Sequence, residues 1–307
     1  MLFFAFKGIE IDEVMSQIRQ ADYRWVACSV LFGVLALVLR TFRWKLLIEP
    51  LDKQTKTTNI WHAINIGYLA NFVFPRIGEI TRCGILNRTD RVPIDRLFGT
   101  VVVERIFDML MSMLMLCMIL ILRFDAVSSF IMEHIIKPVI IRIDGFMIIY
   151  IVLGALVLFV LYGIFRKKLS ETKPFRNIKK LLHGVAEGIK SIKRLRNIKL
   201  FVALNILVFG MYFMQTYVMF FALECTASLG LGDALFVVVL SALAIIIPIQ
   251  GSIGAYHWIV SMGLTILGLT RAEGMVYATI SHSVTSILFI MLGAMSIIFV
   301  FAKGHKK

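Results

Sequence analysis

The stretch NFVFPRIGEITR, residues 71–82, begins inside an apolar run and ends in charge. Pro75 has no N–H to give a helix, and Gly78 follows three residues later, so the chain is expected to bend here. Arg76, Glu79 and Arg82 come directly after the proline. In a solvated loop they would mean little. Inside a bilayer each would cost roughly 3 kcal/mol and would have to face a protein interior or a wet cavity and find a partner.

The surroundings favour the bilayer. Of 307 residues, 59% are hydrophobic and only 17% charged, a balance too apolar for a soluble chain of this length. Crossing a bilayer as helix takes about 20 mainly apolar residues. Residues 25–39, 101–122, 146–165, 201–223, 234–248 and 276–301 are the clear candidates, and 60–75 and 253–267 are shorter or interrupted. Strand-type alternation is absent, so the predicted class is all-α: a polytopic helical bundle forming one integral membrane domain over 1–307. Residues 1–24 supply an apolar stub, MLFFAF, and an interfacial helix with Ile11, Val14, Met15 and Ile18 along one face.

Loop charge sets the expected orientation. The 166–199 segment holds twelve Lys or Arg against Glu171 and Glu187, which assigns it to the cytoplasm as a basic amphipathic segment on an anionic leaflet. Lys303, Lys306 and Lys307 place the C-terminus on the same side, as do five arginines between Arg76 and Arg96. Arg40, Arg43 and Lys45 are read as loop charge behind the 25–39 span. The sequence LECTASLGLGD, 223–233, has no Lys or Arg and belongs outside. Counting crossings then makes 60–75 leave and return to the cytoplasmic face, and 234–267 begin and end outside. Two re-entrant helical hairpins entering from opposite faces are expected. Each bends at Pro-x-x-Gly: Pro75 with Gly78, and Pro248 with Gly251. Such opposed broken helices are how secondary transporters line a site near the midplane.

The net charge of +14 is distributed between apolar runs and does not point to nucleic acid. Cys28, Cys83, Cys117 and Cys225 are scattered without metal or redox spacing and read as packing residues. Three constellations carry the chemistry. Glu79 and Arg82 share a helix face behind the first bend, with Arg76 and Gly78 in it. Glu104 and Asp108 lie four apart on one face of a long apolar helix, with Arg105 beside them. The Gly-rich PIQGSIGAYHW, 248–258, frees backbone groups at Gly251 and Gly254, with Gln250 and His257 at hand. The bland alternative is that Arg105 with Asp108, or Glu79 with Arg76, only neutralise one another between helices. His62 and His282 read as packed or interfacial imidazoles.

Four of these pieces, LRTFRWKLLI (39–48), PRIGEITR (75–82), VVVERIFD (101–108) and PIQGSIGAYHW, resemble in order and spacing the lysylphosphatidylglycerol synthase transmembrane region, or flippase-like domain, family. The resemblance implies a polytopic protein that moves or binds a lipid. In the best understood members the domain precedes a soluble aminoacyltransferase, which this sequence does not contain, and it carries lysyl-phosphatidylglycerol across the bilayer. Other members are accessory to polyprenol-linked sugar chemistry. The family's motif residues fall on Arg76, Gly78, Glu79 and Arg82, and on Glu104, Arg105 and Asp108. Many members have glutamate three residues after the last glycine of the bend, where this chain has His257. Members also begin with a complete first helix, so a start upstream of MLFFAF is expected.

The expected ligand is therefore a membrane lipid headgroup: an anionic phospholipid, an aminoacyl-phospholipid or a polyprenyl phosphate. Arg76, Arg82 and Arg105 would meet its phosphate, and Glu79, Glu104 and Asp108 would orient them. No catalytic residue, cofactor or metal is assigned. The motif G-x-x-x-x-G-K-[ST] does not occur, so transport would be passive or ion-coupled. The alternatives are an intramembrane transferase using Glu104 and Asp108 as base or metal ligands, and a non-catalytic partner of a lipid-modifying enzyme.

Overall fold

The computed structural model describes residues 11–51, 55–132 and 197–304. The 146–165 span, the MLFFAF stub and nearly all of the 166–199 basic segment lie outside those residues. Ten α-helices are seen among the described residues, with no strand. In chain order they are α1 (Ile11–Gln20), α2 (Tyr23–Ile48), α3 (Thr57–Val73), α4 (Gly78–Asp90) and α5 (Ile94–Leu122). They continue with α6 (Phe124–Ile131), α7 (Ile198–Phe220), α8 (Leu231–Ile246), α9 (Ala255–Ile266) and α10 (Arg271–Gly304).

Four helices, α2, α5, α7 and α10, are long and apolar enough to cross a membrane, and α8 is a shorter apolar one. This is an integral membrane protein built of helices. Their outer faces remain apolar: Leu31, Met113, Ile121, Ile206, Met291 and Ile298 are exposed. Such residues belong against hydrocarbon, where they meet no penalty.

Local chemistry sets where the helices begin. Asp22 caps α2 by accepting from the Arg24 amide at 2.9 Å, and Asn197 caps α7 from the Leu200 amide at 3.0 Å. Ahead of α10, Thr270 and Glu273 satisfy each other's backbone: the Thr270 amide donates to Glu273 Oε2 (2.8 Å) and the Glu273 amide to Thr270 Oγ1 (3.2 Å). Helix α1 docks through part of its apolar face. Val14 is buried in the core that Phe220, Tyr277 and Val260 share, and Ile18 packs beside it.

One boundary departs from the sequence reading. The helix containing residues 25–39 does not stop before Arg40 but runs to Ile48. Arg40, Arg43 and Trp44 are therefore helical and buried, not loop charge. Behind Arg40 the apolar pattern resumes with Trp44, Leu47 and Ile48, all buried with Ile60, Cys83 and Leu97 in a second core.

The stretch 71–82 forms a bend between α3 and α4, which pack closely against each other. The sequence puts Pro75 and Gly78 at the turning point. In the structure Arg76 takes the left-handed conformation, φ 62°, while Gly78 is the first residue of α4. Gly78 is needed for closeness: a Cβ there would lie 2.3 Å from the Gly67 carbonyl oxygen on α3. Asn71, in the last turn of α3, accepts from the Gly78 amide at 2.8 Å. A second bend joins α8 to α9, with Gly251 (φ 57°), Ser252 (φ 58°) and Gly254 (φ 88°) left-handed.

Candidate functional site: a buried arginine–carboxylate cluster

Glu104 on α5 is fully buried, at the centre of four arginines from three helices. Arg40 Nη2 and Arg43 Nη2 from α2 approach its Oε1 at 2.8 Å each, and Arg105 Nη2 at 3.1 Å. Arg82 Nη1 from α4 lies 2.8 Å from Oε2. Asp108, one turn further along α5, is bound by Arg43 Nη1 (2.7 Å), Arg105 Nη2 (2.9 Å) and Arg40 Nη2 (3.3 Å). The i, i+3 spacing of Arg40 and Arg43 and the i, i+4 spacing of Glu104 and Asp108 turn two matching rows toward each other.

Polar and aromatic neighbours hold the cluster. Arg43 Nη1 also donates to Asn205 Oδ1 on α7, and Arg40 Nη1 to the Tyr212 hydroxyl at 3.1 Å. The Arg82 guanidinium lies over the Trp44 ring, 4.5 Å from its centroid, and Trp44 is fixed by donating to Thr100 Oγ1 at 2.9 Å. Arg40 stands 5.6 Å from the Tyr68 ring, which stacks on Phe289. Desolvating a guanidinium over an aromatic face strengthens that contact.

The four guanidiniums outnumber the carboxylates of Glu104 and Asp108 that they bind. Several donors also remain without a partner among the described residues: Arg82 Nε and Nη2, Arg40 Nε, Arg43 Nε and Arg105 Nε. Glu79, one turn before Arg82, likewise has its Oε2 buried with no hydrogen-bond partner there. A surplus of buried positive charge with unused donors is unfavourable alone and is relieved by an anion.

Of the residues singled out in the sequence, Arg82, Glu104, Arg105 and Asp108 come together here. Arg76 does not: it is exposed, and Nη2 donates to the Ile246 carbonyl at the end of α8, at 2.7 Å. Gln250, Gly251, Gly254 and His257 gather at the second bend. Gln250 is exposed, while His257 is buried and its Nδ1 accepts from the Gly254 amide at 3.4 Å. His282, read as a packed or interfacial imidazole, packs at this bend: its Nε2 sits 2.8 Å from the Gly251 carbonyl oxygen and its ring 4.9 Å from that of His257. His62 packs on Phe299 and contacts Ser296 Oγ at 3.1 Å. The two bends touch, since Phe72 fills the space beside Gly251 and Arg76 reaches Ile246.

Sequence reasoning missed Arg40, Arg43, Asn205 and Tyr212. The signal for the first two was present: an L-R-x-x-R-W run with apolar residues continuing at helical spacing behind it. Asn205 and Tyr212 had none, because a lone polar residue in an apolar helix does not declare its partner.

An all-helical membrane fold with a charged cluster buried between its helices defines a polytopic protein with an intramembrane polar site. The family model of the lysylphosphatidylglycerol synthase TM region matches residues 1–293, and the chain belongs to that family. It is 31% identical over 103 residues to a protein of Haloferax volcanii named glycosyltransferase AglD. That match covers 33% of this chain and 16% of the relative. It is 27% identical over 103 residues to a UPF0104 membrane protein of Methanocaldococcus jannaschii, covering 33% of this chain and 31% of that one. The chain thus spans well under two thirds of either relative, and no solved structure matches it.

Proposed function

We propose that this protein is a lipid translocase, or lipid-binding membrane protein, whose arginine cluster receives an anionic lipid headgroup. The observation that carries this reading is the buried surplus of guanidinium around Glu104, with unused donors on Arg82. Arginine's planar fork suits phosphate oxygens, and phosphate is the anion that membrane lipids offer. The anionic phospholipids and polyprenyl phosphates share that group. The relative named as a glycosyltransferase is consistent with a role beside lipid-linked sugar chemistry, the setting in which a lipid-modifying enzyme partner would act.

In this reading the two helix–bend–helix units, α3–α4 and α8–α9, are re-entrant and enter from opposite faces. The 166–199 segment and the C-terminus are cytoplasmic, and the whole chain works as one domain. The contact between the bends, through Arg76 with Ile246 and Phe72 with Gly251, is then where two gates meet.

A transferase reading is less well supported. Every carboxylate oxygen of Glu104 and Asp108 faces a guanidinium within 3.3 Å, which leaves them ill placed to ligate a divalent cation or accept a proton. The test is reconstitution into vesicles of native lipid with fluorescent headgroup analogues. Accelerated loss of inner-leaflet protection in wild type, abolished in Arg82→Ala and Arg105→Ala, is expected. Wild-type vesicles that flip no analogue and retain no anionic lipid would refute the reading.

A further inference from the structure

We infer that His282 on α10 is a proton-binding site, with Nδ1 taking the proton, and that the bound proton tightens the second bend against that helix. The site itself needs no lipid; its role as a coupling site, drawn below, rests on the lipid-translocase reading.

Between Tyr277 and Lys303, His282 is the one titratable side chain on α10. An ionisable group inside a spanning helix is costly, and such groups mark ion and proton pathways. Hydrogen bonds fix its neutral form. A carbonyl oxygen only accepts, so the 2.8 Å contact between Nε2 and the Gly251 carbonyl puts the ring proton on Nε2. Nδ1 then holds the lone pair, 3.4 Å from Ser286 Oγ, which donates to it. On α9 the lone pair of His257 Nδ1 is already in use, accepting from the Gly254 amide at 3.4 Å.

The two imidazoles, 4.9 Å apart, therefore differ in what a proton would cost. At His282 Nδ1 the new N–H turns to Ser286, whose hydroxyl changes from donor to acceptor, and no hydrogen bond is lost. At His257 Nδ1 it would face another N–H and break the cap of α9. His282 is also half-buried, whereas His257 is buried. One proton thus comes from water to His282 Nδ1, forms an N–H bond and adds one positive charge. That charge opposes a second one on the neighbouring ring.

From α9, His257 and Tyr256 face His282, the Tyr256 ring at 5.1 Å. Helix α3 brings Tyr68, stacked on Phe289, and His62, at Ser296, both further along α10. Helix α2 brings Arg40, held by Glu104, and α7 brings Tyr212, bound to Arg40, and Tyr217, stacked on Phe213. Asp12 and Arg19 of α1 are exposed, and Arg76 of the first bend is spent on Ile246. Among the described residues no carboxylate or guanidinium acts on His282, whose surroundings are set by burial and the Gly251 carbonyl.

A cationic imidazole donates more strongly than a neutral one, so the proton tightens the bond to Gly251. Phe72 of the first bend packs beside that same glycine. The proton sits one hydrogen bond from the place where the bends touch. In translocation it would be the coupling ion, holding the second bend when bound and freeing it when released.

The experiment uses the full chain in lipid nanodiscs, with histidine ring nitrogens labelled with nitrogen-15 and His282 assigned by its loss in His282→Gln. Between about pH 8 and about pH 5, which bracket imidazole titration, His282 Nδ1 should pass from unprotonated to protonated while Nε2 keeps its proton. His257 Nδ1 should stay unprotonated. The Ser252 and Ile253 amides bond within the bend. Corrected for the intrinsic effect of pH, their hydrogen exchange should be about fivefold slower in the acid form, the ratio expected between a charged and a neutral hydrogen bond. His282→Gln keeps a donor for Gly251 but has nothing to protonate, so its corrected exchange should not change with pH.

A His282 Nδ1 that stays unprotonated, or a His257 that takes the proton first, would overturn the site. The same exchange response in wild type and His282→Gln would overturn its hold on the bend. The coupling role is read in proteoliposomes from the translocation of fluorescent phosphatidylglycerol under a pH gradient, which should respond in wild type and not in His282→Gln. Wild-type translocation indifferent to the gradient would overturn coupling. A wild type that binds the proton at His282 but moves no lipid would sink the translocase reading and leave the proton site standing.

Discussion

Two glycines six residues apart on α4 should respond to alanine with opposite signs. At Gly78 an added Cβ would stand 2.3 Å from the Gly67 carbonyl oxygen and 2.8 Å from both terminal atoms of the Asn71 side chain. An ordinary carbon–oxygen contact needs more than 3 Å, so α3 and α4 would have to part by about an ångström. Overpacking of this kind costs about 1–3 kcal/mol, and the first obstacle is backbone, which cannot swing away. Parting the helices also weakens the Asn71 bond to the Gly78 amide, worth about 1 kcal/mol. Restored helix propensity returns somewhat under 1 kcal/mol. Gly78→Ala should therefore destabilise by about 2–3 kcal/mol. At Gly84 nothing among the described residues lies within 4 Å, so Gly84→Ala should gain the propensity term alone, about 0.5–1 kcal/mol. Tryptophan-fluorescence melting of the purified protein in one detergent measures both. At about 2–4 °C per kcal/mol, Gly78→Ala should melt some 4–12 °C lower and Gly84→Ala slightly higher. Equal shifts of the same sign would refute the claim that Gly78 is there for helix approach.

Glu104→Gln should destabilise by about 3–5 kcal/mol, because the neutral amide leaves the guanidiniums around it uncompensated in a dry interior. Adding Arg43→Met to that variant should recover part of the loss, and a thermal-melt double-mutant cycle measures it. At the second bend, Gly251→Ala meets a left-handed φ of 57° and the Phe72 ring at 2.7 Å. It should lower stability by about 2 kcal/mol. Pairing it with Phe72→Ala should relieve the clash but not the backbone term, again read by melting.

Much of the architecture was legible before any coordinates. The long runs at 101–122, 201–223 and 276–301 became α5, α7 and α10, because a segment that must satisfy its own backbone in hydrocarbon has no choice but helix. The helix breaks near Pro75 and after α8 followed from proline and glycine chemistry. Asp108 and Glu104 were recognisable as partners needing cations, since isolated charge in an apolar helix is costly. What failed was the reading of Arg40 and Arg43. Loop charge and buried charge look alike in a sequence when both follow an apolar run, and the positive-inside pattern claims either.

The sequence by itself determined that this chain is helical, lies in the membrane and carries ionisable groups there, because those properties follow from composition and local spacing. Only the tertiary structure decided which charges meet. It drew Arg40 and Arg43 from α2, Arg82 from α4 and Glu104 from α5 to one point, across more than sixty residues of chain between Arg40 and Glu104. It also put a left-handed residue at Arg76 in the first bend, with Gly78 already inside α4. The physical reason is range: helix formation and bilayer partition are set within a turn or a span, whereas ion pairing and close packing depend on distances that only the fold creates.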